Sequence, residues 1–227
     1  MQTRHAFDAR LTELYERLFR IGTMVEAALT KSVAAMMDHD GAAAQEVVEG
    51  DRAINQAVQQ LHTEALLLIA TQQPMARDLR LISVVISLLP ELERMGDYAA
   101  TIGKVQRRMM AAPNHTPLAA MPKQVSSLVS EIGRRTIEIM HAGLEALNIR
   151  DQSFAERVAA LDDEIDHLYA ELFNVTVKLS ASNPELTAEA IHLLTLAHNL
   201  ERVGDRITNV AEQIVYLMTG EVVALNY

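Results

Sequence analysis

The stretch LERMGD, Leu92 to Asp97, returns as LERVGD from Leu200 to Asp205, and the copy extends well beyond six residues. Asp40 aligns with Asp151, Val47 with Val158 and Asp51 with Asp162; after short length differences at the turns, Pro74 aligns with Pro184, Glu93 with Glu201 and Asp97 with Asp205. A chain written twice in this way folds as two like units, each burying its own apolar stripe. The stripe has helical spacing. Phe7, Leu11, Leu14, Leu18, Ile21, Val25 and Ala28 step by three and four, as do Val47, Ile54, Val58, Leu61, Ala65 and Leu68. Val158, Leu161, Ile165, Leu168, Leu172, Val175 and Leu179 continue the pattern, and strand-like alternation is absent.

The breaks divide the chain into six helices, expected at 7–38, 41–70, 75–110, 123–149, 152–181 and 185–219. Asp40 and Asp151 are the expected N-caps, Pro74 and Pro184 stand where new helices begin, and Gly220 is the expected stop. Pro90 falls inside the third helix and should kink it. The segment APNHTPLAAMP carries three prolines and reads as the linker between the halves. The expected fold is all-α, two tandem pseudo-symmetric three-helix bundles, with units at 1–111 and 123–227 and a linker at 112–122.

Composition narrows the function. A formal charge of −10 disfavours nucleic acid or an anionic membrane as principal partner. The absence of cysteine removes disulfides, thiolate metal sites and thiol nucleophiles. No signal-peptide pattern opens the chain, and its longest apolar run, LISVVISLLP, is too short to span a bilayer, so a cytoplasmic protein is expected. There is no phosphate-binding glycine loop, nucleophile elbow or catalytic constellation to assign, and no organic cofactor is expected.

The carboxylates are the informative feature. Residues four apart share a helix face, so Glu93 sits over Asp97 and Glu201 over Asp205. Asp51 occupies a stripe position between Val47 and Ile54, with Asn55 one turn on; Asp162 and Asp166 flank Ile165 in the matching place. If the second and third helices of each unit are neighbours, one unit gathers Asp51, Asn55, Glu93 and Asp97. The other gathers Asp162, Asp166, Glu201, Asp205 and Asn209. Two readings stand at this point. One is an all-oxygen site for hard cations such as magnesium, calcium, manganese or iron. The other is a set of surface ion pairs, since Arg94, Arg202 and Arg206 adjoin these acids. Gly96 and Gly204 either permit close helix packing or leave room for an ion.

Other features read more plainly. Three Glu-x-x-His spacings, Glu138/His141, Glu164/His167 and Glu189/His192, match the di-iron pattern of some helical bundles but lie in one half without counterparts; a solvated face is the better reading. His198 is read as a packed histidine, the eleven methionines as gap fillers, and Lys104, Arg107 and Arg108 as cations complementing a helix C-terminus.

ELERMGDYAATIGK and NLERVGDRITNVAE resemble the twin acidic helices of the PhoU family, regulators of bacterial phosphate uptake; VVEGDRAIN and QPMARDLRLISVV resemble the segments preceding the first. The resemblance covers nearly the whole chain. It implies paired three-helix bundles whose acidic motifs hold iron, zinc or other divalent ions, here on Glu93, Asp97, Asp51, Glu201, Asp205, Asn209, Asp162 and Asp166. It implies a non-enzymatic adaptor between the ATP-binding subunit of the phosphate ABC transporter and the phosphate-sensing histidine kinase. Such an adaptor represses the phosphate-starvation response, pairs as a homodimer, binds no nucleic acid and meets the membrane complex only peripherally. The alternative is a carboxylate-bridged metal enzyme or metal store; a regulator of a different carrier is a third reading. Asn55 where the second unit has Asp166, and Thr101 where it has Asn209, remove donors from the first site, which is therefore expected to hold metal more weakly.

Overall fold

The computed structural model describes residues 2–113, 115–150 and 152–225. Six long helices account for nearly all of them: α1 (Gln2–Asp38), α2 (Gly41–Gln72), α3 (Arg77–Met110), α4 (Lys123–Ile149), α5 (Gln152–Ser182) and α6 (Thr187–Thr219). The expected boundaries hold to within a few residues. α1 begins earlier than Phe7, where the polar QTRHA segment gives no apolar signal. α3 begins at Arg77 because Ala76, with φ 46° and ψ −112°, lies outside helical space. Pro184 opens a single 3₁₀ turn, Pro184–Leu186, before α6 proper.

Local chemistry sets the ends. Asp40 accepts hydrogen bonds from the Ala42 and Ala43 amides at 2.9 and 3.0 Å, satisfying two of the free donors at the start of α2. The matching N-cap, Asp151, lies outside the described residues. Gly220, at φ 81°, closes α6 with its amide on the Tyr216 carbonyl at 2.8 Å. Pro90 sits inside α3, which continues unbroken through it although the ring removes one backbone donor.

Helices α1, α2 and α3 pack on one another, as do α4, α5 and α6, giving two three-helix bundles. Each apolar stripe is buried, from Leu14, Leu18 and Val25 on α1 to Ile165 and Leu172 on α5. The bundles then share one core through two seams, α1 against α4 and α3 against α6. Gly22 at the first seam lies directly beneath Leu144, and Gly133 beneath Val33, so both sites are too close-packed for a larger residue. Among the described residues, helices α2 and α5 touch only helices of their own bundle. The proline-rich connection is not a free tether: Leu118 and Met121 within it are buried in the core.

Candidate functional site

Both acidic clusters assemble where the repeat places them, between the peripheral and the central helix of each bundle. In the second half, Asp162 of α5 is 4% exposed and packs against Gly204 of α6. A Cβ at Gly204 would fall inside the space of Asp162 Oδ1, so glycine is there to admit a carboxylate. Of the two earlier readings, close packing holds at this position. Asp162 Oδ1 has no hydrogen-bond partner among the described residues. Burial pushes its pKa up to about 7, helped by the negative charges of Asp166, Asp205 and Glu201. Asp166 lies nearer the surface, and partial desolvation of its carboxylate, followed by the charge of Asp205, raises its pKa also. Glu201 shifts upward for the same reasons, burial first and Asp205 second. Its Oε2 is buried without a hydrogen bond, although His198 Nδ1 lies 3.1 Å away.

Ion pairing answers only part of this charge. Arg202 reaches Asp205 Oδ2 at 2.7 Å. Arg206 turns to the other bundle, where it meets Glu91 Oε2 at 3.3 Å. Asn209 follows it, donating to the same Glu91 oxygen at 3.1 Å. Both arginines face Tyr98 across the α3–α6 seam. Asn209 thus lies on the acidic helix but spends its amide on the interface between the halves.

The first cluster has the same skeleton with less charge. Asp51 Oδ2 accepts from Asn55 Nδ2 at 3.1 Å, while Asp51 Oδ1 and Asn55 Oδ1 are buried without partners. Burial, then Asp97, raises the Asp51 pKa, and the Lys104 cation opposes the rise. Lys104 therefore does more than complement a helix end: it offsets the first cluster. Its counterpart in the repeat is Glu212, whose Oε1 instead caps the Leu225 amide at 2.8 Å. A Cβ at Gly96 would meet Ile54 at 3.3 Å and Asp51 Oδ1 at 3.5 Å, a looser fit than at Gly204. Arg94 stands 3.8 Å from Asp97. A groove of about 820 Å³ opens between α2 and α3, walled by Asp51, Asn55 and Glu93 above Ile86, Leu89 and Pro90.

The donor chemistry suits a hard divalent cation. Burial and neighbouring negative charge raise the pKa values of Asp162, Asp166 and Glu201, and buried oxygens lack partners that a cation would supply. Among the described residues no three histidine, aspartate or glutamate side chains already surround one point at ligand distance. His198, read from the sequence as packed, is instead 53% exposed beside Glu201, its ring tilted against Tyr169. Glu91 and Tyr98 were not signalled by the motif, and Arg206, expected to pair with the acids it adjoins, reaches Glu91 instead, because these roles arise from one half meeting the other.

Two Glu-x-x-His pairs are surface ion-pair chemistry, as expected. Glu138 meets Arg134 and Arg135, and His141 Nδ1 meets Glu26 Oε1 at 2.9 Å. Glu164 meets Arg135 at 3.0 Å, and His167 Nδ1 lies 2.8 Å from the Asp163 carbonyl. Among the described residues, no helix is long and apolar enough to cross a membrane.

Known proteins share both the architecture and the sequence. The PhoU domain profile matches residues 18–105 and again 129–214. A phosphate-specific transport system accessory protein PhoU homolog of Clostridium acetobutylicum is 30% identical over 225 residues, 99% of each chain. A homolog bearing the same description in Rhizobium meliloti is 32% identical over 215 residues, 95% of this chain and 88% of the relative. The crystal structure of the phosphate transport system regulatory protein PhoU from Streptococcus pneumoniae superposes with a TM-score of 0.85 at 28% identity, covering 96% of this chain and 99% of that one. That of PhoU from Pseudomonas aeruginosa gives 0.86 at 28% identity, covering 95% and 100%. With the profile matched once in each half and relatives aligned end to end, this chain belongs to the PhoU family.

Proposed function

We propose that this protein is a non-enzymatic regulator of phosphate uptake, a cytoplasmic adaptor that links the ATP-binding subunit of a phosphate ABC transporter to a phosphate-sensing histidine kinase and holds the starvation response down. The observation that carries this reading is end-to-end similarity to proteins described as accessory and regulatory to phosphate transport. The fold supports it physically: six rigid rods around one core offer extended helical faces for docking. A homodimer would double those faces. Capture of the two partners on immobilised protein, at high and low phosphate, is the test. Binding to both is expected, and binding to neither at any phosphate level overturns the adaptor reading.

The acidic clusters take part as cation sites. Asp162, Asp166, Glu201 and Asp205 would hold an ion in the second half, with Asn209 one turn further along α6; Asp51, Glu93 and Asp97 would do so in the first. The cation supplies the positive charge that lets these carboxylates ionise together. Elemental analysis of protein purified without chelators should show metal, and Asp205→Ala should lose more of it than Asp97→Ala. Greater loss from the Asp97 variant would contradict the ranking. Aerobic iron turnover in a ferroxidase assay would favour the metal-enzyme or store alternative.

A further inference from the structure

The two bundles treat the space beside their acidic helices differently. In the first, the groove of about 820 Å³ between α2 and α3 lies over Val58, Ile86, Leu89 and Pro90. A cleft of this size, apolar at its floor with a few polar groups converging on it, is the usual form of a binding site. In the second, the repeat puts Tyr169 where the first has Val58, and His198 where it has Pro90. Those two rings meet between α5 and α6 with centroids 5.7 Å apart, and His198 Nδ1 stands 3.1 Å from Glu201 Oε2. The aligned Glu93, on the groove wall, has no hydrogen bond or ion pair among the described residues. One bundle carries its own aromatic ring and nitrogen base beside the glutamate; the other has an open groove there.

The filled copy shows what the open one fits. A ring laid on Val58 and Pro90 gains aliphatic contact, and a basic nitrogen beside it answers the Glu93 carboxylate as His198 answers Glu201. Asp51 adds negative charge to the same wall, and Arg52 on the rim offsets only part of the pair. The length of the groove indicates what carries these groups. Its lining on α2 extends from Val48 to His62. That is about 21 Å at 1.5 Å per residue, or about four turns of a third helix laid against α2 and α3.

We propose that the α2–α3 groove receives a helix of a protein partner, which lays an aromatic side chain on Val58 and Pro90 and points a basic side chain at Glu93. The proposal rests on the adaptor reading and names the chemistry of one of its contacts. Aromatic and arginine side chains are the common anchors of such interfaces. The partner's cation takes the charge role at Glu93 that a metal ion would take in the first cluster, so binding is measured with chelator present.

The second bundle supplies the decisive variant, since Val58→Tyr/Pro90→His plugs the groove with the residues of the other copy. The probe is a fluorescent amphipathic helical peptide about four turns long, with tyrosine and arginine one turn apart on its apolar face. By anisotropy it should bind the full-length parent, and the plugged variant should weaken it by on the order of tenfold or more. Glu93→Gln, which keeps the shape of the groove, should weaken it too, and should cost nothing further once the peptide arginine is glutamine. No binding to the parent overturns the proposal, as does equal binding to the parent and either variant. Capture of the transporter subunit and the kinase on plugged protein separates the two readings. Loss of either partner supports the groove, and retention of both overturns it while the adaptor stands. Capture of neither by the parent sinks the adaptor reading, and the peptide measurements then decide the groove alone.

Discussion

The two acidic clusters share a backbone plan and differ in charge. The second gathers Asp162, Asp166, Glu201 and Asp205 with Glu212 further along α6; the first has Asn55 for Asp166 and Lys104 for Glu212. The consequences are physical. The buried Asp162 carboxyl is driven up to about 7, whereas Asp51 gains an amide from Asn55 and the influence of a nearby ammonium. Duplication therefore preserved the geometry, while substitutions at two positions relieved one copy of its electrostatic cost and left the other loaded.

The largest expected effect probes that load. In chelated protein, Asp162→Asn should raise stability at pH 8 by about 2–4 kcal/mol, from a pKa moved from 3.8 to about 7. The folded state holds the Asp162 proton more tightly than the unfolded chain, so this residue costs nothing below about pH 4. The cost grows as pH rises toward 7 and is complete above it. The advantage of the variant should accordingly vanish near pH 4 in denaturant melts recorded across the range. Asp51→Asn should give a smaller gain over a lower window, and equal gains would break the comparison.

Next in size is the glycine beneath each aspartate. Gly204→Ala should cost about 1–3 kcal/mol by crowding the buried Asp162 carboxylate. Gly96→Ala should fall within about 1 kcal/mol of the parent, since its neighbours stand at 3.3 Å or beyond and alanine favours the helix. Thermal melts of the pair decide it. The smallest effect sharpens the picture electrostatically: Lys104→Glu gives the first cluster the acid that the second has at Glu212 and should cost about 0.5 kcal/mol at low salt, fading as salt rises. A change that ignores ionic strength would show that Lys104 acts by packing.

Much of this was legible in the sequence because helical burial is periodic and the repeat confirms every stripe. The Asp40 and Gly220 ends follow from short-range chemistry, and so does the placement of Asp51 and Asp162 on their stripes. What escaped depends on contacts between the halves. Asn209 reads as a ligand from its spacing, yet Glu91 on α3 claims its amide, and a periodic pattern within α6 carries no trace of that. His198 falls on a helix that is mostly buried, so it reads as packed; its side chain leans out beside Glu201 instead. Lys104 reads as a dipole-complementing cation until α2 is placed beside it.

Among the described residues α2 and α5 each lean only on their own bundle, so the seams between the bundles, α1 against α4 and α3 against α6, involve neither of these outer rods. Each acidic cluster spans that division, with aspartates on the outer rod and the Glu–Asp pair on the seam helix. Any cation gripped there would act as a clasp on an outrigger, so local stiffness, more than overall shape, is what its arrival would change.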